Sequence, residues 1–223
     1  AIGENAGYYN KEGFGNSFFG KGAGLWNVSG NCNSFFGRIA GYFNTTGYSN
    51  VALGSDALLN NTIRSNLVAI GDSALYNNGL SIVNPWDGTR NTAIGSKGLY
   101  NNTAGAYNTS VGFEALYANS SGTSNTAMGM QALYNSTAGS NTGFGHAALY
   151  TNSTGSNNTA IGYWADVTSS GFSNATAIGA DTKVNASNKV RIGNTSVTVI
   201  EGQVAYTFSD ARFKNNILHE VPG

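Results

Sequence analysis

Proline, cysteine and charge are all scarce in this sequence. Of its 223 residues, 2 are Pro, 1 is Cys and 10% are charged, against roughly a quarter charged in an average globular domain. The single cysteine, Cys32, excludes a disulfide within the chain. Zero formal net charge, with no cluster of basic residues, disfavours nucleic acid as a partner.

Long apolar runs are also missing, since no stretch approaches the ~18 residues needed to span a membrane. The His and Cys residues lack zinc-ligand spacing, and the 11 acidic residues form no recurring pair like that of glycosidases. The sequence therefore predicts no metal, no cofactor, no membrane insertion and no activity on an external substrate. Because it opens at Ala1-Ile2-Gly3, inside a repeat, we expect an excerpt of a longer protein.

Glycine, in contrast, is abundant and periodic. A glycine preceded by a pattern close to Asn-Thr-Ala-Ile recurs at a nearly constant interval, with one longer interval between Gly71 and Gly95. A fixed short period is the signature of a solenoid, in which one small unit stacks on itself. These ruler glycines are Gly3, Gly20, Gly37, Gly54, Gly71, Gly95, Gly112, Gly129, Gly145, Gly162, Gly179 and Gly193.

Other positions of the repeat are equally regular. The residue before the ruler glycine is large and apolar, the third after it is nearly always Ala, and Leu and Tyr often follow as the fourth and fifth. The alternating segment around the glycine predicts a short strand, and the Asn-Gly, Thr-Gly or Ser-Gly ten positions on predicts a turn. We therefore expect an all-β fold, a parallel β-roll or solenoid whose coils match the repeat period of about 17 residues.

Both faces of the predicted strand carry apolar or very small residues. Thr92 and Ile94 share one face, and Ala93 lies on the other. A coil of this size cannot enclose a core on two sides, so we expect one face to fill the roll and the other to meet another chain. An intertwined homotrimer is the simplest arrangement for a fibre. A Thr recurs at the position of Thr92, and this Thr column is then internal or interfacial, which disfavours an ice-binding surface. The column comprises Thr92, Thr109, Thr126, Thr142 and Thr159.

An Asn recurs four positions before the ruler glycine. Two structural roles are open to it: stacking of amides from coil to coil, or holding a turn within its own coil. The column comprises Asn16, Asn33, Asn50, Asn91, Asn108, Asn125, Asn141 and Asn158.

Two features are candidate binding surfaces. The long interval between ruler glycines places an insertion between Asn77 and Arg90, and this insertion contains Trp86. Insertions in solenoids form loops on one face, so Trp86 either contacts a receptor or folds back on the roll. The second candidate is the Tyr column, represented by Tyr100, Tyr117 and Tyr134.

The Asn-Thr-Ala-Ile-Gly spacing with its following Ala resembles the head repeats of trimeric autotransporter adhesins of the YadA type. The resemblance covers residues 1 to about 193. It implies a trimeric, left-handed parallel β-roll, although the repeats of that family are usually shorter.

The segment Ser209-Asp210-Ala211-Arg212-Phe213-Lys214-Asn215-Asn216-Ile217 resembles the start of the endosialidase-type intramolecular chaperone of phage tailspikes and tail fibres. That resemblance implies trimerisation followed by self-cleavage at Ser209–Asp210, with Ser209 as nucleophile and Lys214 as base. A lysine acts in this way when desolvation lowers its pKa. The alternative is that both residues are structural, in the first turn of a folded neck.

Together these patterns predict a β-roll shaft over 1–185, a β-rich neck over 186–206 and the start of a chaperone over 207–223. The predicted function is that of an extracellular trimeric fibre segment, from a phage tail fibre or a phage-like contractile injection system. Its partners would be two copies of itself and a host-surface receptor, either a glycan or an outer-surface protein. A bacterial trimeric surface adhesin is the alternative, followed by an ice-binding solenoid.

Overall fold

The computed structural model describes residues 1–81 and 83–200. Over these residues the chain is all-β, with thirteen short strands and no helix. The strands are β1 (Ser17–Phe19), β2 (Ser34–Phe36), β3 (Val51–Leu53), β4 (Val68–Ile70), β5 (Thr92–Ile94), β6 (Thr109–Val111), β7 (Thr126–Met128), β8 (Thr142–Phe144), β9 (Thr159–Ile161), β10 (Asp166–Val167), β11 (Thr176–Ile178), β12 (Lys183–Val184) and β13 (Val190–Ile192).

Eleven of these strands form one parallel sheet, in which each strand pairs with its equivalent in the next coil. The partners are one repeat apart, so Thr92 of β5 pairs with Thr109 of β6. β10 and β12 form a separate parallel pair. The chain is therefore a parallel β-solenoid whose coils match the sequence repeat, which confirms the predicted architecture of the single chain.

Each strand of the long sheet ends where the backbone requires glycine. Gly54 has a φ of 141°, a conformation that side chains with a Cβ rarely adopt. A Cβ on Gly54 would also lie 2.5 Å from the carbonyl oxygen of Gly71 in the next coil. The close stacking of successive corners therefore explains the period of the ruler glycines.

The core is a narrow column of Ala and Leu. In six of the eleven strands of the long sheet the middle residue is a buried Ala, such as Ala52, Ala69 and Ala93. Opposite this column stands the Leu that follows the ruler glycine by four positions. The fully buried members of that column are Leu58, Leu75, Leu99, Leu116, Leu133 and Leu149.

The first coils fill the same space in the opposite way. Phe18 and Phe35 are the buried middle residues of β1 and β2, and their rings stack with centroids 5.3 Å apart. Gly24 and Gly41 occupy the positions where later coils have the core Leu. A Cβ on Gly41 would lie 2.5 Å from Cδ2 of Phe35. In these two coils a large strand residue therefore goes with a corner glycine, whereas in the coils of β3, β4, β5 and β7 a strand Ala goes with a corner Leu.

The predicted Asn column does connect successive coils. Oδ1 of Asn91 accepts the backbone N–H of Asn108 in the next coil at 2.9 Å. Its Nδ2 donates to the carbonyl of Gly105, at the next coil's turn, at 2.7 Å. The stacking role is therefore confirmed, although the bonds run mainly from amide to backbone.

A second buried Asn column, seven positions after the ruler glycine, was not predicted. Nδ2 of Asn102 donates to Oδ1 of Asn78 in the preceding coil at 2.9 Å and to the carbonyl of Gly105 in its own coil at 2.8 Å. The column is interrupted at Ser136. Oδ1 of Asn119, one coil earlier, is buried without a hydrogen-bond partner.

The residue before each ruler glycine points away from the core. Ile94 is 39% exposed and Phe144 is 52% exposed. We call this outer column the apolar ladder. It comprises Ile2, Phe19, Phe36, Leu53, Ile70, Ile94, Val111, Met128, Phe144, Ile161, Ile178 and Ile192.

The Thr column lies on the same outer face as the apolar ladder. Thr92, Thr109 and Thr126 are half-buried on this face, whereas the residues between the two columns are buried in the core. The prediction that the Thr column could be internal is therefore wrong, because in these strands the middle residue, not the Thr, faces the interior. The interfacial alternative remains a prediction.

The C-terminal strand still belongs to the solenoid. β13 pairs in register with β11 in the long sheet, so this part of the segment assigned to the neck continues the stacking. Residues 197–200, expected to be β-rich, lie outside any strand. Residues 201–206 of the predicted neck, and the whole predicted chaperone segment 207–223, lie outside the described residues.

Candidate functional site

The regular corner geometry changes directly after Asn78. In an ordinary coil the Asn of the second column closes a corner with two intervening residues, as Asn102 does with Gly105. Nδ2 of Asn78 instead donates to the carbonyl of Gly88 at 2.8 Å. Residues 79–87 therefore replace a two-residue corner, which places the insertion within the predicted segment.

A pocket of about 170 Å³ lies beside this insertion. The wall from the insertion side contains Pro85, Trp86 and Arg90, and the wall from the preceding coils contains Tyr48 and Arg64. Ser65, Asn66 and Thr89 add hydrogen-bonding groups. We call this the insertion pocket.

Trp86 is 59% exposed, so its ring is not folded into the roll. The guanidinium carbon of Arg90 lies 4.9 Å from the centroid of the Trp86 ring and 5.3 Å from that of Tyr107. Nη1 of Arg90 also donates to the hydroxyl of Tyr107 at 2.7 Å. These contacts hold the Arg90 guanidinium beside both rings.

Arg64 is the most unusual residue of the pocket. It stands ten positions after a ruler glycine, where Gly30, Gly47, Gly105 and Gly122 stand in other coils, and it is only 5% exposed. Its Nη1 donates to the carbonyl of Pro85 at 2.9 Å. Its Nε is buried and has no acceptor among the described residues.

The charges at the insertion do not cancel. Asp87 accepts the backbone N–H groups of Asn84 at 2.7 Å and Val83 at 2.9 Å. These bonds hold the pKa of Asp87 below its usual value of 3.8, so the carboxylate is ionised at neutral pH and bound to the loop's own amides. In the described part of the chain, no ion pair involves Arg64 or Arg90.

The Tyr residues predicted to bind a receptor form a separate column. The ring of Tyr117 stacks on Tyr100 and Tyr134, with centroids 5.3 Å and 5.2 Å apart. Burial, followed by the neighbouring charges and phenols, raises the pKa of Tyr100 and Tyr134. Since the faces of Tyr117 pack on its two neighbours, such rings present edges rather than faces to a ligand.

None of these three Tyr residues lines the insertion pocket. Of the four predicted binding residues, only Trp86 lies in this pocket. Ser209 and Lys214, predicted for self-cleavage, lie outside the described residues. The sequence reasoning missed Arg64 and Arg90. The signal for Arg64 was present, because it breaks a glycine column one coil before the insertion.

Over residues 1–81 and 83–200, no three His, Cys, Asp or Glu side chains cluster in a way that could hold a metal ion. The same residues contain no helix with the length and apolar character needed to cross a membrane. Comparison of the sequence with protein-family models, curated proteins and solved structures gives no match.

Proposed function

We propose that this chain is a rod segment of a homotrimeric attachment fibre, of a phage tail or a phage-like contractile injection system, acting outside the cell. The observation that carries the proposal is the apolar ladder, which leaves a column of large side chains uncovered on the flat face of a regular solenoid. The proposal retains the C-terminal chaperone, which rests on the resemblance of the segment that begins at Ser209.

The outer face is large enough to act as an interface. Eleven steps of ~4.8 Å give a length of roughly 53 Å, and three-residue strands give a width of about 10 Å. The resulting area of about 500 Å² lies in the range of patches that mark interaction sites on soluble proteins. Burying this face would stabilise an assembly because apolar area leaves water.

A copy of the same chain is the best occupant for this face. The ladder repeats at the strand spacing, so a partner that packs against every rung needs the same period, and a second copy has it. The chain carries no net charge, so copies do not repel one another over long distances. Cyclic symmetry keeps parallel rods in register and closes the assembly.

The test is native mass spectrometry of the chain, with Met128→Asp as the ladder variant. Met128 is 38% exposed on β7, and a carboxylate there would be buried in an assembly without a partner. Ser124→Asp is the matched control, since Ser124 is exposed in the same coil but lies off the ladder. We expect trimers from the wild type and the control and loss of trimer from Met128→Asp, with unchanged circular dichroism. A monomeric wild type contradicts the proposal.

Self-cleavage is tested by intact mass of the same product and of Ser209→Ala. A chain ending at Ser209, left uncut in the variant, supports a self-processing fibre. An uncut wild type supports the structural alternative for Ser209 and Lys214. An outer-membrane anchor in the parent protein would favour the bacterial adhesin.

Ice binding is the second candidate, because the Thr column is on the outer face of the chain, half-buried beside the apolar ladder. A flat, regular, uncovered face of this kind is also what ice binding requires. Measurable thermal hysteresis by a monomeric wild type, lost in Met128→Asp, would favour this function over the fibre.

A further inference from the structure

Two departures from the repeat occur next to each other in space. Arg64 replaces a glycine of the corner column, and the insertion occupies the following coil. A Cβ on Gly79, at the start of the insertion, would lie 2.7 Å from Cγ of Arg64. The Arg64 side chain therefore runs directly against the insertion, and the two departures form one local structure.

Arg64 has hydrogen-bonding capacity that the protein leaves unused. A guanidinium has five N–H donors, and the acceptors for Arg64 are the carbonyls of Pro85 at 2.9 Å and Asn84 at 3.5 Å. Its Nε has none. Among the described residues Arg64 forms no ion pair, although the charge of Asp87 acts on it. A buried cation without a paired anion is costly, so an anion that enters the insertion pocket would be stabilised there.

Arg90 adds a second positive charge at the opposite wall, held in place by Trp86 and Tyr107. The nearby Asp87 keeps its negative charge, which acts on Arg64. Its carboxylate already accepts two loop amides and, among the described residues, forms no ion pair with either arginine, so the two guanidinium groups leave one positive charge in excess. The pocket thus combines two cations, an exposed indole and the hydrogen-bonding groups of Ser65 and Asn66.

We infer that the insertion pocket binds a uronic acid residue of a surface polysaccharide. A carboxylate matches the planar fork of a guanidinium, and the exposed part of Trp86 offers a flat surface to a sugar ring. The volume of about 170 Å³ is below the roughly 300–1,000 Å³ typical of sites that enclose a whole ligand. The pocket therefore takes the acidic edge of one sugar while the rest of the saccharide stays outside.

This inference rests on the attachment role proposed above. Because every residue of the insertion pocket comes from one chain, binding can be tested separately from assembly. The probe is a glucuronate-containing oligosaccharide, with a glucose oligomer of equal length as the neutral comparison and inorganic phosphate as the alternative anion. Binding is measured by calorimetry and by the shift of the Trp86 indole N–H resonance. The variants are Arg90→Gln and Arg64→Lys, with Arg38→Gln as a control, because Arg38 pairs with Asp56 away from the pocket.

We expect the glucuronate oligomer to bind and to shift the Trp86 resonance, and the glucose oligomer to do neither. Loss of one guanidinium–carboxylate contact should weaken binding by about tenfold or more in Arg90→Gln and Arg64→Lys, and leave Arg38→Gln unchanged. Equal binding of the glucose oligomer, an equal loss in Arg38→Gln, tighter binding of phosphate, or no binding would each overturn the inference. Native mass spectra of the same samples separate the two proposals, since a monomer that binds glucuronate refutes only the assembly.

Discussion

Exchange of Phe35 and Gly41 for Ala and Leu tests how the core is filled. Phe35→Ala removes a fully buried ring and should lower the free energy of unfolding by about 3–5 kcal/mol. Gly41→Leu alone forces a side chain against Phe35 and should cost about 1–3 kcal/mol or more. The backbone does not oppose the change, because Gly41 has a φ of 59° and the core residue Leu58 has a φ of 53°.

The double variant reproduces the arrangement of Ala52 and Leu58 one coil later in the chain. We expect it to lie within about 1–2 kcal/mol of the wild type, which requires a favourable coupling of about 2–3 kcal/mol or more between the sites. Some loss remains because Phe18 no longer has a ring to stack on. The assay is urea unfolding followed by circular dichroism.

A second cycle controls for general effects of destabilisation. Phe35→Ala combined with Leu133→Ala changes two core sites several coils apart, and their costs should add within about 0.5 kcal/mol. If the Phe35 and Gly41 changes also add, so that the double variant is less stable than either single one, the proposed exclusion between a strand Phe and a corner Leu is wrong.

Four further predictions concern polar groups. Asn102→Ala should lower the free energy of unfolding by about 1–3 kcal/mol, because it removes hydrogen-bond partners from buried amides of both neighbouring coils. Ser136→Asn should raise the free energy of unfolding by about 0.5–1.5 kcal/mol by giving Oδ1 of Asn119 a donor. Urea unfolding checks both, and a Ser136→Asn variant less stable than the wild type would contradict the second prediction. Burial raises the pKa of Asp166 above 3.8, although its hydrogen bonds and Lys183 act in the opposite direction. Protonation of Asp166 therefore favours the folded state, so the free energy of unfolding should rise as the pH falls from neutral through this raised pKa toward 3.8. Asp166→Asn should remove this part of the pH dependence of the free energy of unfolding. Burial raises the pKa of Tyr100 above 10.0, so Tyr100 should ionise at a higher pH than a free tyrosine. The stability that its neutral form contributes should be lost as the pH rises beyond 10.0. The ionisation is measured by ultraviolet titration as the difference between the wild type and Tyr100→Phe, and titration of Tyr100 at the pH of a free tyrosine would contradict the prediction.

The period and the strand positions were predictable because glycine, Ala and the apolar residue recur in the sequence with the same spacing. The orientation of the strand was not, since both of its faces carry apolar or small residues. Ile94 and Ala93 are both compatible with a core by polarity. Which of the two residues faces the core depends on the space left by the corner residue of the coil. Beside the buried Leu99 that space admits Ala93 and leaves Ile94 outside, whereas Gly41 leaves room for Phe35.

The candidate site was predictable only in part. The insertion and Trp86 were evident from the long interval between Gly71 and Gly95. The contact of Arg64 with the insertion was not predictable, because it joins two successive coils. Such coils lie one repeat apart in the sequence but only one strand spacing apart in space. The charge balance was equally hidden, because it depends on Asp87 folding back onto the amides of Val83 and Asn84.

The hydrogen bond from Asn78 to Gly88 has a consequence for engineering. It closes a corner of nine intervening residues with the same geometry that closes a corner of two, and the coils on either side keep their register. Loop closure entropy rises only slowly with length, so equivalent corners, such as the one between Asn102 and Gly105, are suitable points for grafting peptides. Displayed epitopes would then be spaced along the rod in steps of ~4.8 Å, and the number of repeats would determine the number of epitopes on each chain.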